Sequence, residues 1–373
     1  MKPNGDFEIF LVTAPGLEPV LCEEAKANGF RAPKAVPGGV RIEGRWHDVW
    51  RANLVMRGAS RVLARLDTFR IDELAELEKR ARRVPWDGVL RRGVPIRVEA
   101  TCAKSRIYHS GAAAERIATA IHDATGAPLA DDAPITVRAR IEADRCALSV
   151  DTSGELLHKR GFKEAVGKAP MRETLAALFL RQCGYDGREP VLDPMCGSGT
   201  FVIEAAEIAA RLAPGRARPF AFEHLATFDA EAWLALKEKF AARAVTPAFR
   251  CHGSDRDAGT IAMSRANAGR AGVADFTEFR EQSISALQAP EGPPGLVIVN
   301  PPYGGRIGDK ARLRTLYRTL GQILLERFPG WRVGLVTSEA ALAKATGLPF
   351  APPAAPVPHG GLRVTLFQTA ALA

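Results

Sequence analysis

The pentad Asn300-Pro301-Pro302-Tyr303-Gly304, which follows the apolar run 296–299, holds the most informative chemistry in the chain. Two consecutive prolines fix the backbone and remove two N–H donors, so that nearby carbonyls face a pocket as acceptors. The Asn300 side-chain oxygen adds an acceptor, and Tyr303 offers an aromatic face for stacking. Acceptors beside a stacking plane suit an amino or amide group on a planar system. The lone pair of an amine on a base is delocalised into the ring, which makes it a poor nucleophile. Hydrogen bonds to its protons localise that pair toward an electrophilic methyl, and positioning supplies much of the remaining acceleration. No strong general base is needed, because the amine proton becomes acidic once the methyl has transferred. Asn300, Pro301, Pro302 and Tyr303 are therefore the candidate catalytic set.

A second motif, Val191-Leu192-Asp193-Pro194-Met195-Cys196-Gly197-Ser198-Gly199-Thr200, reads as a buried strand ending in an acid, then a small-residue loop opening a helix. Glycines let a backbone approach a ligand without a Cβ clash, and ligands sit at the carboxyl ends of strands in open α/β sheets. The loop lacks the lysine of a triphosphate-gripping loop. A nucleotide-dehydrogenase reading stays open, although Asp193-Pro194 argues against it. The next strand ends at Gly253-Ser254-Asp255-Arg256-Asp257, where an acid can accept hydrogen bonds from both ribose hydroxyls of an adenosyl group. Asp255 or Asp257 also fits as the cap of a helix beginning near Ala258.

The elements that position these residues follow from periodicity. After Pro170 the pattern alternates: helix over 171–182, strand 191–193, helix 200–212, strand 249–255, helix 258–268, strands 277–281 and 296–300, helix 313–328, strand 333–337. This alternation implies a doubly wound, mostly parallel sheet. The segment 361–368 fits an added antiparallel strand at its end. Before residue 152 the pattern is α+β, with strands over 7–12, 40–43, 61–69, 96–100, 135–141 and 145–151 and helices over 17–28, 46–54, 71–84 and 111–125. Residues 152–170 read as a connector.

The bulk numbers are those of an ordinary globular protein, with 46% apolar and 25% charged residues and no apolar run long enough to cross a membrane. The stretch 1–10 lacks a basic segment followed by an apolar one, so a cytoplasmic location is the expectation. The six cysteines are scattered without CxxC pairs, which argues against a structural metal site or a disulfide framework. A net charge of +9 favours polyanionic partners. Residues 1–160 hold 26 Lys and Arg against 22 Asp and Glu, so neither half owns the excess and a binding surface must be a local cluster. Two clusters stand out. Lys104, Arg106, Tyr108 and His109 share one loop, and Lys159, Arg160, Phe162 and Lys163 form another. Both suit RNA contacts, and both equally suit solvated loops.

Taken together, these motifs resemble the class I S-adenosylmethionine (SAM)-dependent guanine-N2 RNA methyltransferases that carry a THUMP domain. The likeness extends over nearly the whole chain, and is greatest to the guanine-N2 half of the bifunctional large-subunit rRNA enzymes. It is carried by the loop 192–200, the turn 253–257, the run Asn300–Arg306, the connector 151–162 and the segment Ala169-Pro170-Met171-Arg172-Glu173-Thr174. The resemblance implies an α/β fold: a Rossmann-like, seven-stranded SAM domain over 168–373, preceded by a ferredoxin-like region over 1–58 and a THUMP domain over 59–153, with 154–167 as connector. It implies SAM as cofactor, held by Pro170, Asp193, Pro194, Met195, Cys196, Gly197, Ser198, Gly199, Thr200, Asp255 and Arg256, with no metal. It implies structured RNA as partner, 23S rRNA first and tRNA second; adenine N6 or a glutamine amide would suit the same turn, and a non-catalytic RNA-binding protein is the alternative of a different class. Two departures stand out. Glu281-Gln282-Ser283 replaces the usual Asp near the adenine, so that Ser283 becomes the candidate adenine contact, and Gly305 stands where close relatives often have Glu.

Overall fold

The computed structural model describes residues 5–163, 171–304 and 310–373. The chain forms two compact units. One comprises Met1–Thr13, Leu21–Leu157 and Gly215–Lys239, the other Ala14–Val20, His158–Pro214 and Phe240–Ala373.

The first unit contains β1 (Phe7–Val12), most of α1 (Glu18–Ala27), β2 (Arg31–Val36), β3 (Gly39–Gly44), α2 (Trp46–Val55), β4 (Arg61–Arg70), α3 (Leu74–Ala81), β5 (Ile96–Ala103), α4 (Ser110–Thr125), β6 (Ile135–Glu142) and β7 (Arg145–Asp151). Its strands make one continuous seven-stranded sheet in the order β2-β3-β1-β4-β7-β6-β5. The ferredoxin-like and THUMP stretches expected from the sequence thus share a sheet, joined where β1 pairs antiparallel with β4. Strand β2 escaped the sequence reading because Arg31, Ala32, Lys34 and Ala35 are exposed and show no alternation.

The segment Gly215–Lys239 lies in sequence within the expected SAM domain, yet it is built into the first unit. The reason is aromatic. Phe222 is fully buried and packs on Trp50, Phe220, Phe228 and Trp233 with ring centroids 5.0–6.2 Å apart. Burying side chains of this size contributes about 1.5–3 kcal/mol each. Most of helix α7 (Ala230–Ala241) belongs to this insertion, and its periodicity was not picked out in sequence.

The second unit contains α5 (Glu173–Gln182), β8 (Val191–Asp193), α6 (Thr200–Ala209), β9 (Cys251–Asp255), α8 (Ala258–Ala271), β10 (Thr277–Glu281), β11 (Leu296–Val299), α9 (Lys310–Arg327), β12 (Arg332–Thr337), α10 (Ala340–Ala345), β13 (Val357–His359) and β14 (Leu362–Gln368). The sheet order is β10-β9-β8-β11-β12-β14-β13. Strands β10, β9, β8, β11 and β12 are parallel, and β14 adds antiparallel to β12 as the alternation over 361–368 implied. The order reverses direction between β8 and β11, which makes a crevice at their carboxyl ends. The four residues of β11 are all buried, as a central parallel strand covered on both faces requires. No helix among the described residues is long and apolar enough to cross a membrane.

Candidate active site

The glycine loop leaves β8 at the crevice and is held from three sides. Asp193, 2% exposed, accepts the Met195 N–H at 3.1 Å. Burial pushes its carboxyl up to about 8, and the nearby Asp255 adds to the shift. Toward β9, Cys196 N–H donates to Ser254 O at 2.9 Å and Gly197 N–H to Asp255 Oδ2 at 3.2 Å. From behind, the Ser264 hydroxyl of α8 lies 2.6 Å from Gly197 O, and Asn267 Nδ2 donates to Ser198 O at 3.1 Å. Gly199 has φ +83°, and a Cβ there would come within 3.2–3.3 Å of Ser264, Ile203 and Phe279, so glycine is required. Gly197, with φ +54°, has nothing within 4 Å of its would-be Cβ, leaving room for a ligand. Pro194 and Ser198 are buried and Met195 is half-buried.

Thr200, the first residue of α6, is anchored by residues that motif reading did not assign to the cofactor. Lys163 Nζ donates to its Oγ1 at 2.8 Å and pairs with Glu173 at 2.9 Å, the two charged side chains being only 12% and 7% exposed. Pro170 lies outside the described residues.

Asp255 closes the end of β9 and also accepts the Asp257 N–H at 3.2 Å. Asp257 takes the capping role left open by the sequence: its carboxylate accepts the Thr260 N–H at 2.7 Å, and this bond holds its pKa below the ordinary value. Arg256 is exposed beside it. Gln282 N–H donates to Asp255 O at 2.8 Å, which puts the exposed Ser283 just past the end of the neighbouring strand β10, where its hydroxyl lies 3.0 Å from that of Ser285.

Asn300 follows β11, whose register with β8 pairs Val297 with Leu192. The Asn-Pro-Pro-Tyr turn and the glycine loop therefore leave the carboxyl ends of adjacent strands, and Met195 and Tyr303 pack on one common core cluster. Asn300 Oδ1 is buried and has no hydrogen-bond partner among the described residues. Pro301 is buried, Pro302 exposed and Tyr303 half-buried, with burial raising the Tyr303 pKa. The turn is braced from behind. The hydroxyl of the fully buried Tyr317 lies 3.4 Å from Pro302 O and 3.2 Å from Thr337 Oγ1. Gly304 N–H donates to Glu339 Oε1 at 3.2 Å. One lone pair of the Pro302 carbonyl thus faces Tyr317, and the open acceptor is Asn300 Oδ1. Gly305 and Arg306 lie outside the described residues.

The basic clusters diverge. In the first unit Tyr108 is 81% exposed, Lys104 is exposed with φ +49°, and Arg106 is 69% exposed with Asp72 at 3.4 Å. His109 Nδ1 accepts the Ala112 N–H at 3.4 Å and caps α4. In the second unit Lys159 is exposed, but Arg160 corrects the sequence expectation: it is 2% exposed and faces Glu204, itself 1% exposed, at 3.4 Å. A guanidinium taken out of water needs a buried acid, and α6 supplies one, so Arg160 serves the interior and not an RNA surface. Phe162 is buried as well. The residues missed in sequence, Ser264, Asn267, Tyr317, Thr337 and Glu339, sit on helices and strand ends outside any motif, and nothing local distinguishes them.

Residues 160–351 match the family described as RMKL-like, methyltransferase domain, and residues 8–63 match the RlmL ferredoxin-like domain. The ribosomal RNA large subunit methyltransferase K/L of Psychromonas ingrahamii is 35% identical over 352 residues, covering 91% of this chain and 47% of that protein. The chain spans about half the length of this curated relative. A crystal structure of a predicted N6-adenine-specific DNA methylase from Listeria monocytogenes aligns with 29% identity and a TM-score of 0.90 over 98% of this chain and 97% of that one. SMU.472, solved in complex with SAH, aligns with 25% identity and a TM-score of 0.89 over 99% of both chains.

Proposed function

Because this chain belongs to the RMKL-like methyltransferase family, we propose that it moves the methyl group of SAM to the exocyclic N2 amine of a guanine in structured RNA, with 23S rRNA as the substrate. SAM supplies an electrophilic methyl on a sulfonium. The residues at hand fit it: Gly197 leaves open space beside the loop, Asp255 and Ser283 stand at the ends of β9 and β10 where they would take the adenosyl group, and the loop's own carbonyls are engaged by α8. That SMU.472 was solved with SAH supports the same choice of cofactor.

The chain's own part in the reaction is to hold and orient the amine. Asn300 Oδ1 accepts one N–H of the exocyclic amine, Tyr303 stacks on the base, and Tyr317 and Glu339 keep the turn rigid. Bound SAM would supply the methyl and would keep, on its sulfur, the electron pair of the bond given up to the amine nitrogen. The product amine then releases its proton to water. A base inside folded RNA must be extruded to reach the turn, at a cost of a few kcal/mol. Within the first unit, the exposed Tyr108, Lys104 and Arg106 are the proposed RNA contacts. The single observation that carries the reading is Asn300 Oδ1: buried, without a partner among the described residues, at the end of the strand next to the glycine-loop strand.

The test is nucleoside mass spectrometry of rRNA and tRNA from a deletion strain. Loss of one N2-methylguanosine from 23S rRNA is the expected result, and its loss from tRNA would reassign the substrate. Unchanged N2-methylguanosine in both, or loss of N6-methyladenosine in its place, would overturn the guanine reading.

A further inference from the structure

Glu339 turns its carboxylate away from the helix it opens. It precedes α10 as the N-cap, yet its carboxylate makes no capping hydrogen bond to that helix. It reaches instead to the catalytic turn, where Oε1 accepts the Gly304 N–H at 3.2 Å. Its own N–H donates to Thr337 Oγ1 at 3.2 Å, and the Tyr317 hydroxyl that faces Pro302 O reaches the same Thr337 oxygen. The end of β12 thus locks a half-exposed carboxylate against the Asn-Pro-Pro-Tyr turn. Leu362, 48% exposed, adds an apolar wall at the same place, its Cδ1 lying 3.8 Å from where a Gly304 Cβ would be.

The chemistry of this carboxylate selects among bases. Guanine places two donors side by side on its Watson–Crick edge, N1–H and the exocyclic N2–H. Adenine places an acceptor, N1, beside its amine. A carboxylate can only accept, so one bonded to Gly304, four residues beyond Asn300 on the same turn, favours guanine and repels the adenine N1 lone pair. We propose that Glu339 is a specificity-determining residue of this site, accepting the N1–H of the target guanine while Asn300 Oδ1 accepts from its exocyclic amine. The proposal rests on the guanine-N2 reading above and deepens it.

The discriminating variant is Glu339→Gln. Its amide oxygen can still accept the Gly304 N–H, so the brace on the turn survives, while the anionic acceptor for N1–H is lost. With full-length protein, labelled SAM and a 23S rRNA transcript, Glu339→Gln should lower kcat/KM for RNA roughly 10- to 100-fold, the size of one hydrogen bond to a charged group. SAH affinity by calorimetry should stay within about twofold, because the glycine loop is untouched. Glu339→Asp should recover part of the rate. The position methylated by the wild type is then replaced by 2-aminopurine in a ligated transcript, which keeps the amine and turns N1 into an acceptor. The wild type should reject this substrate, and Glu339→Gln should reject it less, since the amide N–H can donate to N1. The proposal is overturned if Glu339→Gln turns over like the wild type, or if both proteins discriminate equally against 2-aminopurine. A wild type that binds SAH but makes a product other than N2-methylguanosine would overturn the guanine reading itself, and is distinguished by product analysis.

Discussion

Replacing Lys163 with Met isolates what the connector does for the cofactor loop. The ammonium pairs with Glu173 at 2.9 Å and donates to Thr200 Oγ1 at 2.8 Å, and it lies 3.4 Å from Met171 O. Met preserves most of the stem packing, so the loss is electrostatic. Removing one partner of a buried pair costs about 3–5 kcal/mol, because the other charge is stranded. Here Glu173 occupies the first turn of α5, where the helix dipole returns about 0.5–1 kcal/mol to an anion. The expected cost of Lys163→Met is therefore about 2–4 kcal/mol. Adding Glu173→Gln removes the stranded charge and leaves Thr200 Oγ1 and Met171 O without the Lys163 donor, at about 1 kcal/mol each at most, since Met171 O keeps the Thr200 hydroxyl at 3.5 Å. The double variant should thus be no less stable than Lys163→Met, and because Glu173→Gln alone strands the Lys163 ammonium, the two single costs should together exceed that of the double variant by at least about 2 kcal/mol. Urea unfolding of the four proteins in the cycle measures the stability terms. An SAH titration measures the consequence at Thr200, where Lys163→Met should weaken binding by about tenfold if one charge-assisted hydrogen bond aligns the loop. Strict additivity of the two substitutions, or unchanged SAH affinity in Lys163→Met, would refute the reasoning.

Two further outcomes follow from particular side chains. Asp193 has its carboxyl raised to about 8 by burial, so its contribution to stability is complete below the ordinary carboxylate range and is lost as pH rises through about 8. Thermal unfolding should show the wild type losing more stability between pH 6 and pH 9 than Asp193→Asn does; parallel curves would exclude this carboxyl as the source. Phe222→Ala, which opens a hole among four aromatic rings, should cost the first unit about 3–5 kcal/mol in chemical denaturation, and a loss below about 1 kcal/mol would mean that Gly215–Lys239 is only draped on that unit.

How far the sequence reaches depends on where a residue's constraint comes from. Strand β11 and the turn after it were legible because Leu296–Val299 must be apolar to lie between β8 and β12, and Asn300-Pro301-Pro302-Tyr303 has few other uses. The glycine loop was legible for the same reason, since the φ of Gly199 and its crowded Cβ position admit no other residue. Arg160 was misread because a basic residue in a polar stretch looks solvated, and Glu204, the acid that takes it inside, stands 44 positions later. Glu339 and Tyr317 were invisible because their importance comes from contacts across 35 and 15 residues, with no local pattern to mark them. The grouping of Gly215–Lys239 with the first unit was not legible for a related reason: strand–helix alternation tells which elements form, but a segment between α6 and β9 packs wherever its aromatic side chains find partners.

The most direct measurement of the central claim pairs two readouts on wild type and Asn300→Ala: SAH affinity by calorimetry, and the nucleoside formed when labelled SAM is incubated with 23S rRNA. The expected result is N2-methylguanosine from the wild type, with turnover in Asn300→Ala lowered about 10²- to 10³-fold, as for loss of one preorganised hydrogen-bonding group, and SAH bound equally by both. Full turnover by Asn300→Ala, or SAH binding lost together with turnover, would contradict a site in which the glycine loop holds the cofactor and the Asn-Pro-Pro-Tyr turn holds the amine.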